Sequence, residues 1–289
     1  MKNILLSLIF LFSTQLFAQK GVKEMFDDFN YEGNQDPKLL DFGWTVRKGN
    51  GGPGAPGCSW SEEYVSFAKE PDGNGFMILK ASTKGAGNSS IQSEIHHKRE
   101  YLEGTYAARI FFNDAPLEGD SLDGDQVNQT FFAISPLAYP LDTNYSELDF
   151  VEYLPNGGWG TAGNTLWMTS WETYQPQPWV QVSKSDKVQK SHQYWHTIAC
   201  VAANNTLKYY VDGELMATHT GKYYPEQKMS INFNQWFIAE GFIPSDKERT
   251  YIQLVDWVYF SEKSDLAAKD IPNKIEKLRA SKIERKYDN

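Results

Sequence analysis

Three carboxylates stand close together in the segment Ser146–Leu154, which reads S-E-L-D-F-V-E-Y-L. The apolar residues between them indicate a β-strand. In a regular strand Glu147 and Asp149 share a face, whereas Glu152, five positions after Glu147, faces the other side. A β-bulge at the apolar doublet Phe150-Val151 adds one residue and returns Glu152 to the shared face. We therefore predict three acids in a row on one face of a bulged strand.

Such a row of acids has a recognisable chemistry. Neighbouring like charges raise the pKa of at least one carboxyl, which then keeps a proton near neutral pH. A retaining glycosidase needs this split between an ionised nucleophile and a protonated general acid, with the two carboxyls roughly 5–5.5 Å apart. Glu147 and Glu152 can flank one glycosidic oxygen, with Asp149 between them to tune both pKa values. An exposed strand of solvated acids and a set of calcium ligands remain open, although calcium sites favour loops that wrap the ion.

The elements that position this strand are predicted to be strands as well. β-Branched and aromatic runs bounded by turn residues predict strands within 76–81, 104–112, 195–201, 208–216, 229–234 and 251–260. Asp212-Gly213 predicts a hairpin turn inside one of them, and the Gly/Pro-rich stretch 49–57 predicts a loop. Short strands at regular spacing, without a long helical pattern, indicate an all-β sandwich or barrel.

Composition excludes several classes of protein. The chain has 289 residues, of which 40% are hydrophobic and 15% aromatic, so it can bury a core and is not wholly disordered. Its 28 Lys and Arg against 37 Asp and Glu argue against a nucleic-acid partner. Two cysteines, Cys58 and Cys200, exclude a disulfide scaffold and leave one bridge open.

The first residues resemble an export signal. Lys2 precedes the apolar run Ile4–Phe12, and a polar break then leads to Ala18, a plausible cleavage point. The run is far shorter than the ~20 residues of a bilayer span, and no other run approaches that length. We therefore predict a signal peptide at 1–18, no membrane span, and a mature protein that is secreted, periplasmic or at the cell surface.

The C-terminal segment differs from the rest of the chain. From residue 263 onward it carries eight Lys or Arg against five Asp or Glu, which leaves residues 19–262 with a net charge of −13. Ile271, Ile275 and Leu278 have helical spacing. We predict a catalytic β-sandwich domain at 19–262 and a charged tail at 263–289, either a helix docked on the sandwich, a frayed end or a surface attachment.

With these features in view, the sequence resembles glycoside hydrolase family 16. Glu147–Glu152 matches that family's signature, E-[apolar]-D-x-x-E, in its bulged form. Further segments resemble the family's strands in the right order, and the match spans roughly Phe26 to Phe260: Ser93–Ile95, Tyr101–Ile110, Tyr194–Ile198, Tyr209–Gly213 and Val255–Tyr259.

The resemblance implies a fold and a set of roles. The fold is an all-β jelly-roll sandwich of two antiparallel sheets with a concave substrate cleft. By this match Glu147 is the nucleophile, Glu152 the acid/base and Asp149 the assisting residue. Family members cleave β-1,3 or β-1,4 linkages in glucans and galactans with retention, and some transfer the glycosyl unit to another sugar.

Aromatic residues are the expected lining of a glycan cleft, because sugar rings present apolar C–H faces. Trp167 and Trp171 share a face of the strand that follows the catalytic one. Asn234 and Trp236 resemble the family's Asn-x-Trp segment beside the cleft. Two more residues complete the predicted substrate-binding set: Trp159, in the Gly-rich loop after Glu152, and His96, two positions after Glu94.

The sequence departs from some branches of the family. The laminarinase segment Trp-Pro-Ala-Phe-Trp is replaced by Asn128–Ile134, which is closer to lichenases and xyloglucan transferases. Agarases and carrageenases often place a His on the strand after the catalytic one, and Thr165–Trp171 contains none. The net charge of −13 over residues 19–262 also argues against a strongly polyanionic substrate.

Other chemistries find less support. The histidines show no zinc-ligand spacing, and no Gly-x-Ser-x-Gly elbow is present. Catalysis is expected to need no cofactor. Asp28 and Asp256 resemble ligands of the family's structural calcium site on the face away from the cleft, the alternative being ordinary surface acids.

We therefore expect an endo-acting, retaining glycosidase that acts as a monomer on a polysaccharide, with β-glucan as the first substrate hypothesis. A β-galactan or agar hydrolase and a transglycosylase are alternatives with the same residues. A non-catalytic, lectin-like carbohydrate-binding module is the alternative of another class, since one fold hosts many functions.

Overall fold

The computed structural model describes residues 23–239, 241–263 and 266–288, so the predicted signal peptide lies outside the described residues. Two α-helices occur in this part of the chain, α1 (Pro37–Phe42) and α2 (Ile271–Ala280). The strands in chain order are β1 (Glu24–Asp27), β2 (Thr45–Val46), β3 (Gly49–Asn50), β4 (Ser59–Trp60), β5 (Val65–Lys69), β6 (Gly75–Thr83), β7 (Ile91–His96), β8 (Gly104–Phe112), β9 (Glu118–Gly119), β10 (Val127–Ile134), β11 (Glu147–Leu154), β12 (Thr165–Pro176), β13 (Trp179–Gln189), β14 (Tyr194–Ala203), β15 (Thr206–Val211), β16 (Glu214–Thr220), β17 (Ser230–Phe237), β18 (Arg249–Ser261) and β19 (Arg285–Asp288).

The strands form two stacked sheets, antiparallel except for a short parallel pairing of β4 with β7. The first, here called the cleft sheet, runs β2-β7-β17-β10-β11-β12-β13. The second, the outer sheet, runs β16-β15-β14-β8-β18, with β6 and β1 along the far side of β18. This arrangement confirms the predicted jelly-roll sandwich.

The core between the sheets consists of apolar side chains that alternate with cleft-facing polar ones. Phe131 of β10 stacks on Phe233 of β17 with ring centroids 4.7 Å apart, and its edge meets Phe150 of β11 at the same distance. Fully burying an aromatic or aliphatic side chain stabilises a fold by roughly 1.5–3 kcal/mol. The apolar side chains of β11, the strand that carries the three acids, therefore pack in the core and fix the position of that strand.

The predicted strands are present with extended boundaries. Each predicted run falls on one strand, except 208–216, which the turn at Asp212-Gly213 divides between β15 and β16. The φ angles there, 51° and 79°, are those of a tight hairpin turn. The loop prediction for 49–57 is wrong at its first two residues, because Gly49 and Asn50 pair with β4.

The C-terminal segment is an integral part of the sandwich. Ile271, Ile275 and Leu278 of α2 are buried against the outer sheet, which confirms the helical spacing. After the helix, β19 adds a strand beside β1 at the sheet edge. The tail is thus neither frayed nor separate, because it covers apolar surface that would otherwise face water.

Both cysteines are free and buried. Burial raises the pKa of each thiol above its usual value, so both are held as neutral groups. The bridge that the sequence left open is not formed in the structure.

Among the described residues no helix has the length and apolar character needed to cross a membrane.

Candidate active site

The bulge in β11 lies where the sequence predicts it. In the pairing with β12, Asp149 is opposite Thr169 and Glu152 is opposite Trp167. Two residues of β11 therefore stand opposite one residue of β12, Met168. Those two residues, Phe150 and Val151, are buried in the core. The extra residue brings Glu147, Asp149 and Glu152 to one face, and all three line the same cavity.

Each carboxylate accepts a hydrogen bond from a different kind of donor. The phenol of Tyr145 donates to Glu147 Oε2. The indole Nε1 of Trp171 donates to Asp149 Oδ2 at 2.8 Å, and the amide Nδ2 of Asn128 donates to Glu152 Oε1 at 3.1 Å. Hydrogen bonds from protein side chains therefore hold the acids in place. This disfavours the alternative of an exposed strand whose acids are merely solvated.

Burial raises the pKa of all three carboxyls, and repulsion by neighbouring acids adds to the rise for Glu147 and Glu152. Burial is the larger cause for Glu147 and Glu152, and the charge of Asp149 adds to it in both. Burial raises the pKa of Asp149 to about 7, and the Trp171 hydrogen bond opposes the rise. Three such groups cannot all be ionised at neutral pH, so the cluster retains at least one proton.

The cavity above these acids has a volume of about 1060 Å³, which is at the upper end of ligand sites and larger than one sugar ring needs. Three tryptophans stand at its Glu152 end. The Trp159 ring centroid lies 6.2 Å from that of Trp167 and 6.1 Å from that of Trp236. Trp159 remains 45% exposed, so the three rings offer apolar faces to a ligand.

A second aromatic group stands at the Glu147 end. Trp171 lies beside Tyr174 and Trp179, whose ring centroids are 6.2 and 6.3 Å from its own. Trp179 begins β13 at the tip of the β12–β13 hairpin and is 61% exposed. We call Trp171, Tyr174 and Trp179 the hairpin aromatic group.

The opposite wall of the cavity is polar. Asn234 donates its Nδ2 to Glu94 Oε2 at 3.2 Å, and Arg47 donates Nη1 to the same oxygen at 2.9 Å. His96, two residues after Glu94 on β7, also lines the cavity. His97 faces the other way and is buried, with Tyr101 and Phe42 as its hydrogen-bond partners.

The structure thus gathers every predicted catalytic and substrate-binding residue around one cavity. It also adds residues that sequence reasoning missed, namely Tyr145, Asn128, Tyr174 and Trp179. Tyr145 could have been found, because it lies two positions before Glu147, and extending the alternation of β11 by two residues places it on the same face. Trp179 had no such signal, since its place depends on how far the hairpin extends beyond β11.

Asp28 and Asp256, the predicted calcium ligands, lie together on the outer face under α2. The guanidinium of Arg279 sits between them and donates to both. No group of three or more His, Cys, Asp or Glu side chains is arranged to hold a metal ion within the described part of the chain.

Known proteins share this architecture. No protein-family model matches the chain. The Bacteroides ovatus mixed-linkage glucan enzyme of glycoside hydrolase family 16, solved with a G4G4G3G product, superposes with a TM-score of 0.61 at 17% identity, covering 81% of this chain and 98% of that one. The Bacillus licheniformis β-glucanase superposes with a TM-score of 0.56 at 19% identity, covering 85% and 100%. The fold is that of glycoside hydrolase family 16.

The chain also has a relative by sequence. A β-agarase from Phocaeicola plebeius is 25% identical to this chain over 267 residues, covering 80% of this chain and 81% of the agarase.

Proposed function

We propose that this protein is an endo-acting, retaining β-glycoside hydrolase of family 16 that cleaves a neutral polysaccharide. The observation that carries the proposal is the cluster of Glu147, Asp149 and Glu152 on one bulged strand. Each has its own hydrogen-bond donor, and all three lie in a cavity lined by aromatic groups at both ends. A binding module would have no need for three mutually repelling acids on one face of a strand.

In the proposed reaction Glu152 donates its proton to the glycosidic oxygen while Glu147 attacks the anomeric carbon. The bond between that carbon and the oxygen breaks, and a covalent glycosyl ester forms on Glu147. Glu152, now ionised, then takes a proton from a water molecule, which attacks the same carbon and releases the sugar. Asp149 lies between the two glutamates and tunes both pKa values.

β-Glucan is the first substrate we propose, because the solved enzymes of this fold named above act on mixed-linkage glucan or are named β-glucanases. Agar is the second, because the sequence relative is a β-agarase. Sulfated polymers are less suited as substrates, since residues 19–262 carry a net charge of −13. We further propose that the chain is exported and cleaved after Ala18. Measuring the mass of the mature protein tests this cleavage site.

The test is hydrolysis of a panel of purified polysaccharides by the mature protein. New reducing ends are measured with mixed-linkage β-glucan, xyloglucan, agarose, carrageenan and β-galactan. We expect release from one neutral polymer, with loss of at least a thousandfold in kcat for Glu147→Gln, because the amide cannot form the glycosyl ester. Glu214→Gln, at an exposed position on the outer sheet, is the matched control and should keep full activity.

Other outcomes would redirect the proposal. Glu147→Gln with a tenth of the wild-type rate would contradict the nucleophile assignment. Binding without release across the whole panel would favour a lectin-like module. Transfer to an added oligosaccharide with little hydrolysis would favour a transglycosylase, in which water is excluded from the second step.

A further inference from the structure

On the outer face of the sandwich, far from the cleft, two buried aspartates share one arginine. Arg279 of α2 donates Nε to Asp28 Oδ1 at 2.7 Å and Nη2 to Asp256 Oδ1 at 2.6 Å. The aspartate side chains are only 3% and 6% exposed. The guanidinium therefore lies between two nearly buried carboxylates that come from opposite ends of the chain.

The local backbone explains how the acids meet. Asp28 follows β1, and its amide donates to the Glu284 carbonyl just before β19 at 3.0 Å. Asp256 is the extra residue of a bulge in β18, where Val255 and Trp257 pair with successive residues of β8. The bulge turns Asp256 outward, toward α2.

Calcium does not fit these residues. The ion takes six to eight oxygen ligands, and the acids here already accept from arginines, since Arg109 Nη1 also donates to Asp256 Oδ2 at 2.7 Å. The neighbouring Asp27 is turned into the core, where its oxygens accept from Phe29, Tyr31 and Trp44.

Charge leads to the same conclusion. In their ionised forms, which the arginines favour, Asp28 and Asp256 carry two negative charges, and Arg279 and Arg109 carry two positive ones. A calcium ion added to this group would leave two uncompensated positive charges in a poorly solvated place, which is strongly unfavourable.

We propose that Arg279 is a built-in replacement for the structural cation at this place in the fold. The C-terminal segment supplies it, because the burial of Ile275 and Leu278 against the outer sheet fixes the helix that carries Arg279. The guanidinium joins the N-terminal segment to the last long strand, as a bound ion would, without depending on the calcium concentration.

The experiment compares melting temperatures of the full mature protein, first treated with EDTA, with and without added calcium chloride. For wild type we expect the same melting temperature in both conditions. Arg279→Ala should melt on the order of 5–10 °C lower in EDTA, because it leaves two buried acids without their shared partner. Calcium should then recover part of that loss, since the vacated space lies between two carboxylates. Lys277→Ala, exposed on the same helix, should match wild type.

Arg279→Lys keeps the charge but not the forked geometry, so it should melt between wild type and Arg279→Ala and respond little to calcium. A calcium or EDTA effect on wild type would overturn the proposal, as would an Arg279→Ala melting temperature equal to that of wild type. A loss in Arg279→Ala that calcium leaves unchanged would overturn the equivalence of guanidinium and ion. If Arg279→Ala does not fold, the wild-type titration and Arg279→Lys still decide.

Discussion

Tyr145→Phe tests whether the hydrogen bond to Glu147 sets the ionisation of the proposed nucleophile. The phenol donates to Glu147 Oε2 and thereby opposes the rise in the pKa of that carboxyl caused by burial and by Asp149. Removing the donor should raise the pKa of Glu147 further. A hydrogen bond to a charged group is worth about 1.5–3 kcal/mol, equivalent to a shift of about 1–2 pH units.

The expected result follows from the sign of this shift. The proposed reaction needs ionised Glu147, so activity should be lost as pH falls through its pKa, and the acidic limb of kcat/KM should move to higher pH in the variant. At neutral pH we expect kcat/KM to fall by about tenfold to a hundredfold. The assay is reducing-end release on the polymer that wild type cleaves, measured between pH 4 and about 9.

Tyr174→Phe is the matched control for this variant. Tyr174 contacts the Tyr145 ring, with centroids 5.3 Å apart, and lines the same cavity. The control should leave the acidic limb where wild type has it. An unshifted acidic limb in Tyr145→Phe, with kcat/KM within twofold of wild type at every pH, would refute the reasoning.

Two further predictions concern the hairpin and the fold. Trp179→Ala should raise KM for long polymers by about 5- to 30-fold, from ~1–2 kcal/mol of lost stacking on an exposed ring. The value of kcat and the rate on short oligosaccharides should stay near wild type. Val180→Ala is the control, and an equal effect of Trp179→Ala on short and long substrates would contradict the prediction. Asp125→Asn should lower the melting temperature by roughly 6–20 °C, because Asp125 and Arg249 form a fully buried, two-pronged ion pair. Glu32→Gln, in an exposed pair with Lys69, should change it by less than about 3 °C.

The parts of the site that could be predicted from sequence depend on local rules. Alternation along one strand places Glu147 and Asp149 together, and the doublet Phe150-Val151 marks the bulge, so β11 could be described without knowing its neighbours. Alternation along the next strand predicted Trp167 and Trp171, and the loop after Glu152 suggested Trp159, whereas Trp236 was predicted only from the resemblance to the family.

The parts that could not be predicted depend on contacts between distant residues. Arg279 meets Asp28 across 251 positions of sequence, and nothing in the helical spacing of α2 says which side of the sandwich it covers. The same holds for β19, whose charged composition is typical of a solvated end although it pairs with β1. Tertiary packing decides such pairings, and short polar strands carry little signal of their own.

The different donors around the two glutamates bear on their roles independently of the family signature. Two glutamates in a motif are chemically alike, so only their surroundings can divide the proton between them. Glu147 accepts from a phenol O–H, whereas Glu152 accepts from the neutral amide of Asn128 at 3.1 Å and, with a smaller effect on its pKa, from the aliphatic hydroxyl of Thr169. A phenol is the more acidic donor and stabilises an anion more strongly. The pKa of Tyr145 is raised by burial and by Glu147, so the phenol stays protonated and keeps donating. This asymmetry favours an ionised Glu147 and a protonated Glu152, which is the division of roles that retaining hydrolysis requires.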